Sequence, residues 1–500
     1  MHPAIRRAAA STVASLFEAA ARTRPARLAI VDATRTVTYG ELAERVRRLA
    51  NVLASEGLAR GDRVAVTTEN RGEALELLLA AARLGAIVAC QNWRLAPIER
   101  ARCIALVEPK LRIASPRFAG EGAAIVLGGD HERRLAAASP AHDAPDVDPE
   151  DPLVILYTSG TTGLPKGATI SHRAQIVRNL VTRAEFGVAQ DDTFVAWSPL
   201  YHMGAVDNSL GTLMAGGTVI VVDGFDPARL AELVAREPLG WLLLMPGMVG
   251  RFADELEQRA IRPRGVKLCG VMADLVPPAD IARITRLLGA PYANTFGATE
   301  TGCPPCSSSL IPIGVAPVSL AKQQSPFCEI RLVDADDRDV ADGAPGELAM
   351  RGPTLFSGYW ANPDANAHDF RGGWFHMGDV FVRAPDGSLA FVDRVKYLIK
   401  TGGENVYPAE IERVMLQDAR VIECAVVRAP DARWGEVPVA FVARRDDTLD
   451  DAALYARCRA ELAGYKQPKQ IHFIAESEFP RSASGKVLRH ELEGRAKAAR

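Results

Sequence analysis

The sequence predicts an α/β protein whose large N-terminal domain has two layered α/β subdomains and a small β subdomain, followed by a small α+β C-terminal domain. First, 500 residues are too many for one ordinary core. Second, over residues 28–130 short apolar runs alternate with helical stretches such as GEALELLLAAARLG. Third, short strands separated by turn signals occupy residues 326–392. We place the domains at residues 1–395 and 396–500.

A second α/β section follows the first after a connector. Residues 139–152 are rich in Pro, Asp and Ala, which is typical of a connecting segment. After it, the runs TVIVV, GWLLLM and GVKLCGVM predict buried strands.

The last hundred residues have helix and strand patterns of their own. Pro408 is suited to the first turn of a helix over PAEIERVML, in which Ile411, Val414 and Met415 share one apolar face. The runs IECAVV, VPVAFVA and IHFIA predict strands, and a helix is expected around residues 450–463.

Composition narrows the class of protein. A net charge of −2 provides no basic field, so we expect no nucleic-acid partner. The longest apolar runs fall short of the roughly 20 residues that span a bilayer, so we expect no membrane span. The basic N-terminus lacks an uninterrupted apolar segment, which argues against a secretory signal but leaves an organellar presequence open.

The eight cysteines are scattered and form no disulfide framework, so a cytoplasmic location is expected. The close pair Cys303 and Cys306, in CPPC, has no second pair to complete a zinc site. We expect this stretch to be a loop near a pocket.

The stretch YTSGTTGLPKG, at residues 157–167, carries phosphate-binding chemistry. It follows the apolar run LVILY, so its glycines come directly after a strand. Backbone N–H groups of glycines, hydroxyl groups and a lysine all suit a polyphosphate. The stretch does not match the P-loop template G-x-x-x-x-G-K-[ST]. Taken alone, it is equally consistent with a flexible Gly/Thr loop.

This stretch is similar to the phosphate-binding signature of the acyl-adenylate-forming superfamily of AMP-binding enzymes, which includes acyl-CoA synthetases, firefly luciferase and peptide-synthetase adenylation domains. Further motifs of the superfamily follow in order as far as residue 486, so the resemblance covers nearly the whole chain. It implies that the phosphates of ATP are held by Thr158, Ser159, Gly160, Thr161, Thr162, Gly163 and Lys166.

Two motifs resemble the acyl and nucleotide sites of the superfamily. PLYHMGA implies that His202 lies beside the reacting carboxylate. NTFGATE implies that Phe296 stacks on adenine, that Gly297 and Thr299 contact the nucleotide, and that Glu300 binds Mg²⁺. Tyrosine is the commoner aromatic residue at the position of Phe296.

Two later motifs imply ribose and charge-stabilising residues. GWFHMGD resembles the segment whose aspartate, here Asp379, accepts hydrogen bonds from both ribose hydroxyls. Met377 stands where threonine is usual in that motif. PRSASGK implies that Lys486 offsets charge on the carboxylate and α-phosphate during adenylation.

The stretch DRVKYLIKTGGENVYPAEIE resembles the boundary between the two domains of the superfamily. Arg394 then contacts ribose or phosphate, and Lys396 is the hinge about which a mobile C-terminal lid turns. Gly402 and Gly403 border the path of the CoA pantetheine.

The resemblance implies an AMP-forming acyl-CoA synthetase of the fatty-acid–CoA ligase branch, with a carboxylic acid, ATP, Mg²⁺ and CoA as its small-molecule partners and a homodimer as a possible assembly. A carrier-loading acyl-AMP ligase and a non-catalytic nucleotide-binding homologue stay open. An amino-acid-activating enzyme is disfavoured, since Met203 replaces the aspartate expected there. Asp274 replaces a usual proline and is expected to reshape the pocket wall. Fatty, aryl and alicyclic acids all remain open.

Overall fold

The computed structural model describes residue 5 and residues 8–159, 165–274, 276–402, 404–481 and 487–498, with only the backbone of Ser159. The chain forms two compact units. Unit 1 comprises Met1–Glu329 and Arg351–Asp369, and unit 2 comprises Ile330–Met350 and Phe370–Arg500. The predicted domain boundary between residues 395 and 396 stays a prediction.

The α-helices are α1 (Val13–Thr23), α2 (Tyr39–Ser55), α3 (Gly72–Leu84), α4 (Pro97–Val107), α5 (Gly129–Ala137), α6 (His172–Phe186), α7 (Met203–Ala215), α8 (Pro227–Arg236), α9 (Val249–Gln258), α10 (Pro278–Leu288), α11 (Pro363–Asp369), α12 (Pro408–Met415), α13 (Asp451–Glu461) and α14 (Arg489–Ala498).

The strands are β1 (Leu28–Val31), β2 (Thr36–Thr38), β3 (Arg63–Thr67), β4 (Ile87–Gln91), β5 (Leu111–Ala114), β6 (Ile125–Val126), β7 (Pro152–Ser159), β8 (Pro165–Ser171), β9 (Thr193–Ala196), β10 (Thr218–Val221), β11 (Leu239–Leu242), β12 (Val266–Cys269), β13 (Tyr292–Ala293), β14 (Phe296–Ala298), β15 (Gly302–Cys306), β16 (Leu310–Ile311), β17 (Glu329–Val333), β18 (Pro345–Arg351), β19 (Phe375–Arg383), β20 (Leu389–Arg394), β21 (Ile399–Thr401), β22 (Glu404–Val406), β23 (Val421–Asp431), β24 (Gly435–Arg444) and β25 (Gln470–Phe473).

Unit 1 contains the two predicted layers of mostly parallel sheet. One sheet has the order β6-β5-β3-β4-β7-β8, and the other has the order β16-β13-β12-β11-β9-β10-β1-β2. The predicted strands TVIVV, GWLLLM and GVKLCGVM are confirmed as β10, β11 and β12. The early strand β1 joins the second sheet, because Ile30 pairs in parallel with Val219. This long-range pairing was not visible in the sequence order of the elements.

Two helices that carry site residues have ordinary end signals. Helix α6 begins after Ser171, whose hydroxyl accepts a hydrogen bond from the Ala174 N–H at 3.3 Å. Gly187 caps the C-terminus of α6 and Gly216 caps that of α7, and both glycines are left-handed, with φ of 64° and 91°. A residue with a Cβ is strained in that conformation, so these glycines set where each helix ends.

Unit 2 contains the predicted β subdomain and the predicted C-terminal elements. The β subdomain is the four-stranded sheet β17-β18-β19-β20. The second sheet has the order β22-β21-β24-β23, with β25 beside β24. Helix α12 begins at Pro408, and Ile411, Val414 and Met415 pack into a buried cluster with Val426 of β23, as the apolar face predicted.

The apolar run of β23 is explained by burial on both of its faces. Val426 belongs to the cluster under α12 and α13, whereas its neighbours Ala425 and Val427 pack with Leu492 of α14. In the part of the chain that the structure describes, no helix has both the length and the apolarity needed to cross a membrane.

Candidate functional site

The described ends of the 157–167 stretch are paired strands. Strand β7 continues through Ser159, β8 begins at Pro165, and Thr158 lies opposite Lys166 in the antiparallel pair. The described ends of the stretch therefore belong to the sheet, since backbone pairing extends past the apolar run into the polar residues. Gly160, Thr161, Thr162, Gly163 and the Ser159 side chain lie outside the described residues.

Lys166 contacts an acidic and an aromatic residue that the sequence analysis missed. Its Nζ lies 3.1 Å from Asp369 Oδ2 and 4.5 Å from the centroid of the Tyr359 ring. Tyr359 is held next to β8 by backbone pairing, because Ala168 forms an antiparallel bridge with it. Asp369 is the last residue of α11. Both residues lie far along the chain from Lys166, so spacing alone gave no signal for this cluster.

Glu300 is a buried carboxylate with a fixed orientation. The Tyr359 hydroxyl donates a hydrogen bond to Glu300 Oε1 at 3.0 Å, and the Phe356 N–H donates to the Glu300 carbonyl at 2.9 Å. Burial and the neighbouring charges of Glu300 and Asp369 raise the pKa of Tyr359, so its hydroxyl remains a donor at neutral pH.

The donor set at Glu300 fits a magnesium ion that arrives with ATP. Mg²⁺ prefers oxygen ligands and is commonly held by one or two carboxylates together with substrate phosphates and water. Among the described residues, no group of three or more His, Cys, Asp or Glu side chains could hold a metal ion. The remaining ligands of such an ion would be oxygen atoms of phosphate and water.

Arg178 of α6 supports the loop that carries Thr299 and Glu300. Its guanidinium donates to the carbonyl oxygens of Thr299, at 3.0 Å, and Thr354, at 2.9 Å. It also pairs with Asp207 Oδ2 of α7 at 3.3 Å, and its side chain is only 2% exposed. Burial raises the pKa of Asp207, and the Arg178 charge opposes that rise. Sequence reasoning missed this pair, since a lone arginine in a helix is usually solvated.

Phe296 and Gly297 lie in β14, which pairs antiparallel with β15. Phe296 is buried. A Cβ at Gly297 would overlap the Gly302 carbonyl oxygen, so this close approach requires glycine. The expected CPPC loop is instead β15, because the chain reverses at Gly302, which has a φ of 78°, and pairs back on β14.

The cysteines of CPPC are ordinary thiols. Neither forms a disulfide, and Cys306 is fully buried. Burial raises the pKa of Cys303 to about 12, so it is not an activated nucleophile.

The sheet places His202, Asp274 and Phe296 at one edge. They follow β9, β12 and β13, which run parallel within the same sheet. Ligands in such sheets bind outside the carboxyl ends of the strands. His202 is the N-cap of α7, and its ring centroid lies 4.6 Å from that of Tyr201.

Asp274 forms an ion pair with a fully buried lysine at this edge. Lys322 Nζ lies 2.7 Å from Asp274 Oδ2, and the Lys322 side chain is 0% exposed. The same ammonium donates to Asn294 Oδ1, two residues before Phe296. The residue that replaces the usual proline therefore carries a charge that a second unpredicted residue balances. Leu275 lies outside the described residues.

Asp379 and Arg394 are brought together in unit 2. They are opposite each other on β19 and β20, and Arg394 Nε lies 3.1 Å from Asp379 Oδ1. Lys396 follows in a short turn, with Nζ 5.0 Å from the Tyr397 ring centroid. Burial and the Arg394 charge lower the pKa of Lys396. Met377 occupies β19.

Gly402 meets two separate requirements for glycine. It has a φ of 58°, and a Cβ there would lie 2.7 Å from a ring carbon of Trp434. Gly403 and Lys486 lie outside the described residues, so their predicted roles remain predictions.

Comparison with known proteins gives full-length matches. Residues 17–360 match the model of the AMP-binding enzyme family, and residues 410–486 match its C-terminal domain. The chain is 35% identical to a feruloyl-CoA synthase of Amycolatopsis sp, over 95% of this chain and 97% of that one. It is 33% identical to an indoleacetate–CoA ligase of Aromatoleum aromaticum, over 94% and 95% of the two chains. ATP-bound MatB from Rhodopseudomonas palustris is similar in structure, with a TM-score of 0.84 at 30% identity over 97% and 99%.

Proposed function

Because this chain belongs to the AMP-binding enzyme family and is an AMP-forming carboxylate–CoA ligase, we propose that its substrate is an aromatic carboxylic acid. The acid reacts with ATP to give an acyl-adenylate and pyrophosphate, and the acyl group then passes to CoA. The names of the feruloyl and indoleacetate relatives support the aromatic class. Fatty and alicyclic acids are the alternative outcomes of the test below.

The arrangement of Lys166, Tyr359 and Glu300 carries the proposal for the first step. A carboxylate that attacks a phosphate brings two anions together, so positive charge must be in place beforehand. We assign Lys166 to the β- and γ-phosphates together with the preceding Thr158, and Glu300 to Mg²⁺. The ion neutralises phosphate charge when it is bound. The 3.0 Å hydrogen bond from Tyr359 supports this assignment, since it orients the Glu300 carboxylate.

The acyl and adenine groups are assigned to the sheet edge of unit 1. His202 would donate a hydrogen bond to the reacting carboxylate, and Phe296 would stack on adenine beside Gly297 and Thr299. The common edge of β9 and β13 supports these two assignments.

The ribose is assigned to the paired side chains of unit 2. Asp379 would accept hydrogen bonds from the ribose hydroxyls, and Arg394 would contact ribose or phosphate. Their 3.1 Å contact supports a shared site, because it places a carboxylate and a guanidinium next to each other. Lys396 would be the hinge that alternates the two steps, with Gly402 and Gly403 beside the CoA path.

We propose that the protein acts in the cytoplasm and that it can assemble as a homodimer. None of the eight cysteines forms a disulfide, which supports a reducing compartment. The charged pair of Asp274 and Lys322 at the sheet edge supports a pocket that accepts a polar substituent on the acid, such as a ring hydroxyl.

The proposal is tested with a panel of acids assayed with and without CoA. Pyrophosphate release, AMP and thioester are measured for hydroxycinnamic, arylacetic, benzoic, medium-chain fatty and alicyclic acids. We expect the highest kcat/KM with an aromatic acid and thioester formation only with CoA. A fatty or alicyclic acid as the best substrate would overturn the aromatic class. Acyl transfer to a carrier protein but not to CoA would favour the carrier-loading alternative, and no adenylation at all would favour the non-catalytic one.

The two steps are separated with one substitution each. Lys486→Ala should abolish acyl-AMP formation but spare thioester formation from supplied acyl-AMP. Lys396→Pro should do the opposite, since it removes the rotation of a hinge residue. Equal loss of both steps in Lys486→Ala, or normal turnover with CoA in Lys396→Pro, would contradict these assignments.

A further inference from the structure

The ammonium group of Lys166 already has an anionic partner within the chain. Its Nζ lies 3.1 Å from Asp369 Oδ2, and both side chains are only 18% exposed. Such partial burial shields the pair from water and salt. ATP or pyrophosphate would bring a second anion to the same ammonium. We propose that Asp369 is a counterion that Lys166 exchanges for polyphosphate, so that Asp369 sets how tightly ATP and pyrophosphate are held.

The inference rests on the proposed phosphate-binding role of Lys166, and the surroundings of the pair favour exchange. Asp369 is fixed at the end of α11, with His368 Nδ1 2.7 Å from its other oxygen, Oδ1. The Tyr359 ring covers another side of the ammonium. A phosphate that approaches Lys166 therefore approaches the Asp369 carboxylate too, and like charges at this range repel each other.

Tyr359 gives the exchange a defined geometry. Its ring lies against Lys166 and its hydroxyl donates to Glu300, so one side chain contacts both the lysine and the carboxylate assigned to Mg²⁺. When pyrophosphate leaves, Asp369 can pair with Lys166 again without displacing Glu300. Asp369 is thus a positioning residue that acts through Lys166, and it promotes release of the product.

The first test is the substitution Asp369→Asn, which keeps the shape of the side chain and removes its charge. We expect dissociation constants for ATP and pyrophosphate about fivefold lower than in the parent protein. AMP lacks the β- and γ-phosphates, so its dissociation constant should not change. Asp364→Asn, an exposed position in the same helix, is the matched control and should change none of the three.

Steady-state kinetics distinguish the counterion role of Asp369 from a purely structural role, which would not change the kinetic constants in this pattern. In Asp369→Asn the KM for ATP and the inhibition constant for pyrophosphate should fall together, about fivefold, with kcat changed less than either. Unchanged or weaker binding of both polyphosphates would overturn the counterion role. Equal tightening of AMP would do so as well.

A substitution at the lysine separates this inference from the function on which it rests. Lys166→Met should weaken ATP binding. Adding Asp369→Asn to this variant should lower its dissociation constant for ATP by less than twofold. If Lys166→Met leaves ATP affinity unchanged, the phosphate role of Lys166 is wrong. If Lys166→Met weakens ATP binding but Asp369→Asn alone changes nothing, only the counterion role is wrong.

A cross-linking measurement needs no substitution and is independent of how the variants fold. A carbodiimide joins a lysine to a carboxylate only when the two groups are in contact. In the nucleotide-free protein it should link the peptides of Lys166 and Asp369, as detected by mass spectrometry. Saturating pyrophosphate should suppress this link and saturating AMP should not. A link that persists undiminished with pyrophosphate would overturn the exchange.

Discussion

The substitution Arg178→Met tests how the loop of Glu300 is held. It leaves Asp207 as an unpaired, mostly buried carboxylate and removes the donor from two carbonyl oxygens, those of Thr299 and Thr354. Breaking a buried ion pair from one side costs about 3–5 kcal/mol. We therefore expect the free energy of unfolding of unit 1 to fall by about 4 kcal/mol, which lowers its melting temperature by roughly 5 °C.

The assay is urea unfolding, together with pyrophosphate release from the folded fraction. The double variant Arg178→Met/Asp207→Leu should recover part of the loss, because both charges are gone. Arg229→Met breaks an exposed pair with Glu232 and is the control, with an expected cost below about 1 kcal/mol. Two results would refute the reasoning. One is a decrease in the free energy of unfolding in Arg178→Met that lies within about 1 kcal/mol of the decrease in the control, and the other is no recovery of that free energy in the double variant.

Two further substitutions test the site and the electrostatics of unit 2. Tyr359→Phe removes a hydrogen bond to the Glu300 carboxylate and should lower kcat/KM for ATP about tenfold at an unchanged melting temperature, as measured by pyrophosphate release. An unchanged kcat/KM would show that this hydrogen bond does not orient Glu300. Burial raises the pKa of Asp393 to about 6, so between pH 4 and pH 6 the folded state keeps a proton that the unfolded state has lost. The free energy of unfolding should therefore fall by up to about 3 kcal/mol as the pH rises from 4 to 6. Asp393→Asn should remove that fall in urea unfolding at a series of pH values, and an equal fall in the variant would contradict the assignment.

The sequence predicted those features that depend on local patterns. Apolar runs identified β10, β11 and β12, and the apolar spacing after Pro408 identified α12 and its buried face. The motifs located Glu300 and Asp379 by resemblance. In each case the information lies within a short stretch of chain.

The features that the sequence did not reveal depend on contacts between distant residues. Asp369 meets Lys166 across about two hundred positions of chain, and Tyr359 reaches Glu300 only because its backbone pairs with β8. Lys322 balances Asp274 in the same way. Spacing cannot encode such partners, since sheet pairing and loop closure bring them together.

The pairing of β1 with β10 is a further case. Ile30 lies beside Val219, although the apolar run of β1 is equally suited to the neighbouring sheet. The choice between the two sheets depends on the packing of the whole layer rather than on the run itself.

The central claim is tested most directly by the stoichiometry of one reaction. The protein is mixed with MgATP, CoA and its best acid, and AMP, pyrophosphate and thioester are quantified together, followed by the same mixture without CoA. We predict equal amounts of the three products in the first mixture, and acyl-adenylate with pyrophosphate, limited to about one turnover, in the second. ADP and phosphate in place of AMP and pyrophosphate, or thioester formation without acyl-adenylate, would contradict the account.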